Sequence, residues 1–500
     1  MLAFPSLNLE ILGWIGLVPG LLVLRAAPTA REATVRGWWL GTGYLLMAMY
    51  WLTPNLGPAV LLIAIVLGLP WAGVGLAAWR LLRGPVPSAG SGDGPAKPAG
   101  PTVRQALAAL VVLPSCWIVI DWIRSWQGIG GPWAVFGASQ WQHPVVLALA
   151  SVGGIWLVSF VLVAANTAIV IMLTATSLAG RAVGAAGAVL AIAAGPLAFS
   201  LTSAEFSVPA SGHLSVALVQ PGLPTKNPAA LATREIRLTA AGPRPDLIVW
   251  GESSVGFDLH TDHAMLARLT ALSAATGRRL LVSQDAISSA KYHFKVATLI
   301  GPGGIEATYT KSRLVPFGEY IPFRSLLGWL TAISRAASVN MTPGPGAKVL
   351  HTTLPGGVRL PFGVLICFES SFPDMSRFDA NHGAQVLIYQ TSDSTFQGSW
   401  APAQHASLAA LRAAETGRPA VQAALTGDSA AFDARGRELA WAGTSFRGIL
   451  RVTLALPRDS VTTPFDRLGD YVPWFSIAVV AIAIAWAMQA SGLFRRVTRR

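Results

Sequence analysis

A cysteine, a glutamate and a lysine stand at the ends of three apolar runs, and together they could carry one reaction. Cys367 lies near the end of FGVLICFES (362–370), Glu252 near the end of DLIVWGES (246–253), and Lys311 follows a predicted strand in IEATYTKSRLVPFGEY. The spacings are 59 and 56 residues, so only the tertiary fold can unite them. The chemistry would be nucleophilic acyl transfer. A thiolate is a strong nucleophile once a base takes its proton or a cation lowers its pKa. A buried carboxylate can be that base, and an ammonium can stabilise the oxyanion of a tetrahedral intermediate. Singly, each residue has a plainer reading. A Cys in an apolar strand packs as a small hydrophobe, and a Glu or Lys at a strand end is mostly solvated. Cys116 lies inside another apolar run and reads as packing; a disulfide with Cys367 is not expected, because one would sit in lipid and the other outside it.

The elements that must position these residues alternate between strand and helix. LSVALVQPG (214–222), DLIVWGES (246–253), RLLVSQDAI (279–287), VATLIGPGG (296–304), FGVLICFES (362–370) and AQVLIYQTS (384–392) are short, apolar strand candidates. HAMLARLTALSAATG (263–277) and PAQHASLAALRAAETG (402–417) have helical spacing, and the second stops at Gly417 with Pro419 just beyond. Strands this apolar are covered on both faces, so residues 213–457 predict a layered α/β sandwich whose strand ends present functional groups to a crevice.

The rest of the chain is far more apolar. Of 500 residues, 52% are hydrophobic and 12% charged, half the charged fraction of soluble domains, which is about 25%. That excludes a purely soluble, disordered or disulfide-stapled protein. Runs long enough to span a bilayer occur at 9–25, 37–53, 56–79, 105–123, 145–173, 183–202 and 472–491. Lys and Arg exceed Asp and Glu by 13. In a membrane protein that surplus marks cytoplasmic loops rather than a nucleic-acid site. Arg25, Arg31 and Arg36, then Arg80, Arg83, Lys97 and Arg104, then the tail Arg495, Arg496, Arg499 and Arg500 fit one path. The N-terminus starts outside, 203–470 faces outward, and the tail returns inside. The expected organisation is therefore transmembrane helices over 1–202, a catalytic domain over 203–470, and a last span with a basic tail over 471–500. Residues 84–101 read as a flexible Pro/Gly/Ser loop.

The order and phrasing of the three site motifs are specific. Glu252 in LIVWGES, Lys311 in YTKSRLVPFGEYIPF and Cys367 in GVLICFES resemble the Glu-Lys-Cys triad of the nitrilase, or carbon–nitrogen hydrolase, superfamily. Within it, K-x-x-L-V-P-F-G-E-Y-I-P (311–322), GGPWAVFGASQ (130–140) and the flanking spans resemble the apolipoprotein N-acyltransferase family, as do Gln404, His405, Arg412, Glu415, Arg418 and Pro419. The resemblance runs from about residue 3 to about residue 491. It implies a polytopic α-helical membrane domain plus an extracytoplasmic nitrilase-like αββα sandwich, in a bacterial plasma membrane. It implies a thioester on Cys367, with a phospholipid as acyl donor and a diacylglyceryl apolipoprotein as acceptor. No cofactor, metal or nucleic acid is implied. Glu319 matches a second family Glu that supports the triad, and Glu369 is expected to orient the nucleophile turn or to form a salt bridge. Trp250, Tyr320, Phe368 and Asp393 are placed on the substrate side. Trp329, in the apolar loop 320–333, is placed as an interfacial anchor. Trp133 and Phe136 would border an acyl-chain entrance. The sequence departs from the family in showing seven runs for eight spans. It also has Ser392 and Thr395 where the family has Asn and Trp, and AALTG (423–427) for S-T-N-x-G. Two other readings share the pattern: a membrane-tethered amidase, and a non-catalytic binding module.

Overall fold

The computed structural model describes residues 1–84, 99–206, 210–222, 227–289, 292–332, 340–458 and 462–490. Most of the Pro/Gly/Ser loop, the basic tail and the continuation of the 320–333 loop lie outside the described residues.

The α/β half is two six-stranded sheets. Its strands are β1 (Gly212–Gln220), β2 (Leu247–Trp250), β3 (Arg279–Ser289), β4 (Tyr292–Gly301), β5 (Gly304–Thr310), β6 (Val349–Thr353), β7 (Arg359–Ile366), β8 (Val386–Thr391), β9 (Ala420–Ala424), β10 (Ser429–Phe432), β11 (Glu438–Ala442) and β12 (Gly448–Leu456). The orders are β12-β1-β2-β3-β4-β5 and β11-β10-β9-β8-β7-β6. In each sheet three strands run parallel, β1-β2-β3 and β7-β8-β9, and the rest add antiparallel. Parallel strands require crossovers. These are the helices Pro228–Ala241 and His263–Thr276 for the first sheet, and Pro373–Asn381 and Ala401–Thr416 for the second. The two sheets therefore repeat one plan and pack as an αββα sandwich.

Period-two alternation sorts the side chains. Leu214, Val216 and Leu218 of β1 and Leu247 and Val249 of β2 join the main core. Ala217, Val219, Ile248 and Trp250 pack under the outer helices. Gly251, beside Glu252, allows a close approach to the segment after β9: a Cβ there would stand 2.0 Å from the Leu425 amide nitrogen.

Four described helices are long and apolar enough to cross a membrane: Val103–Arg124, Pro144–Thr174, Leu178–Ser203 and Tyr471–Gln489. Ala59–Gly68 and Trp71–Leu81, bent by 43°, make a fifth if taken as one span. The 37–53 run lies mostly in Ala30–Met49, whose first two turns carry Arg31, Glu32 and Arg36, and ends in the short turn Tyr50–Leu52 and at Thr53. The 9–25 run is two short helices, Ile11–Ile15 and Val18–Arg25. Asn166 stitches that break, accepting from the Leu17 amide at 2.8 Å and donating to the Gly13 carbonyl at 2.9 Å. A buried amide side chain is thereby satisfied on both ends.

The two halves are joined through Ala401–Thr416, which is buried between its sheet and the helices. Pro144–Thr174 breaks at Gly153 and Gly154. The freed Ile155 amide donates to Glu415 Oε1 at 2.9 Å, so a carboxylate from the sandwich caps the helix segment that restarts there. Gly154 has φ +68°, and a Cβ on it would lie 2.6 Å from Phe465 Cε2. Gly154→Ala is expected to destabilise the protein by about 1–3 kcal/mol through strain and overpacking. Thermal unfolding in detergent checks this: an unchanged Tm would mean that the break relaxes freely.

Candidate active site

Lys311 sits one residue past β5, with its backbone fixed from both sides. Its amide donates to the Lys295 carbonyl at 2.9 Å and its carbonyl accepts from Gly344 at 2.8 Å. The side chain is buried between two carboxylates, with Nζ 3.2 Å from Glu252 Oε1 and 2.8 Å from Glu319 Oε1. Burial alone would pull the ammonium's pKa down; Glu252, Glu319 and Cys367 outweigh it and hold the pKa well above the ordinary lysine value. Lys311 is thus a fixed cation. Glu319 is itself anchored, its Oε2 accepting from the Val315 amide at 2.8 Å. Glu252 follows β2, and its amide donates across to Thr391 of the opposite sheet at 3.1 Å.

Cys367 begins a turn, Cys367–Ser371, directly after β7, and adopts φ +55°. A non-glycine residue there costs on the order of 1 kcal/mol and persists only when its surroundings hold it. Glu369 does much of the holding. Its Oε2 accepts from the Ile366 amide at 2.8 Å. Its Oε1 faces Tyr309 Oη at 2.7 Å, the Ser312 amide at 2.7 Å, Ser312 Oγ at 3.0 Å and the Arg313 amide at 3.0 Å. One buried carboxylate therefore ties the residue before Cys367 to the two residues after Lys311. No salt bridge to Glu369 occurs within 4.0 Å among the described residues. Burial pushes the Cys367 thiol well above its usual pKa; Glu252 pushes the same way and Lys311 pulls against them. Burial and Glu252 thus both favour the thiol, so a nucleophile at this position would have to be made by proton transfer when substrate is in place.

The remaining residues divide. Phe368 packs edge-on against Phe372, with ring centroids 5.0 Å apart, beside Gly131 of the 130–140 loop. Tyr320 reaches that region too, its hydroxyl 3.3 Å from the Gln127 carbonyl. Trp329 is 56% exposed, with Phe323 at 70% and Leu326 at 73% on the same loop. Trp250 is not brought to the site. It lies on the outer face of β2 and donates to Thr239 Oγ1 at 3.1 Å. In a strand apolar on both faces, the sequence does not show which face looks inward. Asp393 is buried, and its Oδ1 lies 2.9 Å from His405 Nδ1. His405 Nε2 in turn lies 3.0 Å from the Cys367 carbonyl. Ser392 is half-buried and Thr395 exposed, on the loop between β8 and Ala401–Thr416.

Comparison with known proteins decides the family. Residues 1–168 match the apolipoprotein N-acyltransferase N-terminal domain, and residues 215–459 match the carbon–nitrogen hydrolase domain. The apolipoprotein N-acyltransferase of Allorhizobium ampelinum is 30% identical over 460 residues, 85% of this chain and 80% of that one. That of Sinorhizobium medicae is 30% identical over 91% of this chain and 86% of its own. The chain belongs to the apolipoprotein N-acyltransferase family. Among solved structures, an amidase from Nesterenkonia sp. aligns with 48% of this chain and 90% of its own, at 22% identity and a TM-score of 0.36.

The geometry of this apolipoprotein N-acyltransferase-family chain adds polar groups that the motifs did not flag. Lys295 on β4 contacts Ser253 Oγ, and its Nζ lies 2.6 Å from Asp285 Oδ1. Ser253 directly follows Glu252, and the Glu252 and Glu319 carboxylates both favour the Lys295 ammonium. The only sequence signal of the Lys295–Asp285 pair is a lysine opposite an aspartate in the β3–β4 hairpin register. Among the described residues, no group of three or more His, Cys, Asp or Glu side chains is arranged to hold a metal ion.

Proposed function

We propose that the protein transfers a fatty acyl chain from a membrane phospholipid, through a thioester on Cys367, to the α-amino group of an N-terminal diacylglyceryl cysteine. The observation that carries this reading is the buried Lys311 cation shared by Glu252 and Glu319, one carboxylate-linked turn away from the strained Cys367. In the first step Glu252 takes the thiol proton and the sulfur attacks the ester carbonyl. Lys311 and the Phe368 amide stabilise the oxyanion. The C–O bond breaks, and the proton passes from Glu252 to the departing lysophospholipid alkoxide. In the second step the acceptor amine attacks the thioester, the C–S bond breaks, and Glu252 conveys the amine's proton back to the sulfur. An amine attacks a thioester more readily than an oxygen ester, so no energy source beyond the donor ester is needed.

Both substrates are lipids, which gives the apolar helices and the exposed loop a purpose. We place 1–202 and 471–490 in the bilayer of a bacterial plasma membrane and 203–470 on its outer side. Phe323, Leu326 and Trp329 then sit at the interface beside the site.

Intact mass spectrometry in detergent with phosphatidylethanolamine tests the reading, with Cys367→Ala as the blank. The expected result is an acyl-sized adduct on the wild type alone, discharged rapidly by a diacylglyceryl lipopeptide and slowly by water. Rapid discharge by water with no preference for the amine would make it a hydrolase instead. Absence of any adduct in folded protein would overturn covalent catalysis.

A further inference from the structure

We propose that His405, held as an imidazolium by Asp393, is a positioning residue for acyl transfer: it fixes the Cys367 carbonyl and thereby aims the Phe368 amide at the reacting oxygen. The inference rests on the acyl-transfer reading of this site and concerns a group outside the Glu-Lys-Cys set.

The protonation state follows from the partners. His405 Nε2 lies 3.0 Å from the Cys367 carbonyl oxygen, which can only accept, so Nε2 carries a hydrogen. Nδ1 lies 2.9 Å from Asp393 Oδ1 and 3.1 Å from Thr391 Oγ1; the carboxylate is an acceptor, so Nδ1 carries one too. Burial would favour the neutral ring, but Asp393 beside it outweighs burial and raises its pKa. The ion pair is dry on both sides, with His405 and Asp393 both buried.

The consequence follows from the planar trans peptide. The C=O of Cys367 and the N–H of Phe368 belong to one unit and point in opposite directions. Drawing the carbonyl toward His405 turns the amide hydrogen away from it. Cys367 at φ +55° does not hold that orientation by itself. Glu369 restrains the turn at the Ile366 amide, which belongs to the peptide two units upstream of the 367–368 plane. The 3-10 turn Cys367–Ser371 engages the Cys367 carbonyl from the backbone side, and His405 adds a side-chain donor to that same oxygen, which fixes the plane.

The ring is itself immobilised from the N-terminal half. Trp133 lies edge-on to it, with centroids 5.5 Å apart, and the Trp133 indole donates to Gln404 at 3.0 Å. The Trp133 carbonyl accepts from Arg124 Nη2 at 2.8 Å, and Arg124 pairs with Asp121 at 3.0 Å. A continuous chain of contacts thus runs from the helix Val103–Arg124 to the nucleophile's carbonyl.

The test separates two reactions of the same sulfur in the full-length protein. Acylation by a p-nitrophenyl ester passes through an oxyanion; alkylation by iodoacetamide does not. His405→Leu is expected to slow the acylation burst about 100-fold, the scale of losing one oxyanion donor, and to leave alkylation within about threefold. His405→Gln keeps a donor and is expected to recover about tenfold of the lost acylation rate. Should His405→Leu not fold, Asp393→Asn carries the test: the ring stays, its anionic partner goes, and acylation alone slows about tenfold. Equal loss of both reactions, or acylation within threefold of wild type in a folded variant, overturns the proposal. A wild type that reacts with the p-nitrophenyl ester but not with phospholipid would sink the lipid-donor reading and leave this one standing.

Discussion

Glu252→Gln is expected to lower the rate of thioester formation about 10³-fold, within the range for loss of a positioned general base, while raising the alkylation of Cys367 at neutral pH. The two effects have opposite signs because the carboxylate does two things. As a base it takes the thiol proton during attack on an ester. As a charge it opposes the thiolate: after burial, it is the main cause holding the thiol pKa up, and Lys311 is the main cause pulling it down. Glutamine removes the base and the negative charge together, so the thiol pKa falls toward the ordinary value. Below the pKa the thiolate fraction grows tenfold per unit of pH, so a lower pKa gives more thiolate at a fixed neutral pH. The iodoacetamide rate–pH profile should therefore shift to lower pH in the variant. The fold should survive, since Lys311 keeps Glu319 at 2.8 Å and the Glu252 turn is tied to Thr391 through its backbone. If acylation and alkylation fall together, Glu252 is a structural partner of Lys311 and the base lies elsewhere.

The three groups assigned to the reaction could be picked out because Glu252 and Cys367 close strongly apolar runs, Lys311 follows a predicted strand, and the ordered phrases around them resemble one family. The layered α/β architecture was legible for the same reason. What escaped depends on contacts that only tertiary packing makes. Trp250 is two residues from Glu252 but on the outer face, because β2 is apolar on both faces and gives no alternation to read. β9 and β10, AVQAA and SAAF, carry little β-branched or aromatic signal. They are strands because the second sheet pairs them. The resemblance places Asp393 on the substrate side; that its carboxylate pairs with a histidine twelve residues away is a contact the sequence does not show. The 9–25 run is long enough to span by count, yet it forms two short helices whose break is bonded by Asn166 from a distant helix.

Glu369→Gln is the second large effect, and it discriminates clamp from chemistry. Its carboxylate is buried, with donors on both oxygens: Ile366 N–H on one, and Tyr309, Ser312 and Arg313 on the other. Burial raises its pKa, and the bonds from Ile366, Arg313 and Tyr309 oppose that rise. Glutamine has the same shape but offers donors at one end. Its best orientation turns the NH₂ toward Ile366 N–H, leaving two donors facing each other in a dry site. The cost is about 1–3 kcal/mol, a loss of several degrees in Tm. Glu369→Ala abandons every donor and is expected to yield little folded protein, because each buried donor left unsatisfied costs about 1–3 kcal/mol. The kinetic effect follows from where the lost bond lies. Ile366 immediately precedes Cys367, and Ser312 and Arg313 immediately follow Lys311. Loosening the Ile366 end lets the nucleophile drift relative to the cation, and a misplacement of about 1 Å costs about 10²-fold. The clamp reading therefore expects acylation by Glu369→Gln to fall about 100-fold with the shape of its pH profile unchanged, because no proton travels through Glu369. A residue that exchanged a proton with substrate would instead flatten or displace one limb of that profile. A variant with wild-type rates would mean that the Ile366 bond contributes nothing to holding the strained turn, which would then rest on the contacts of Cys367 downstream.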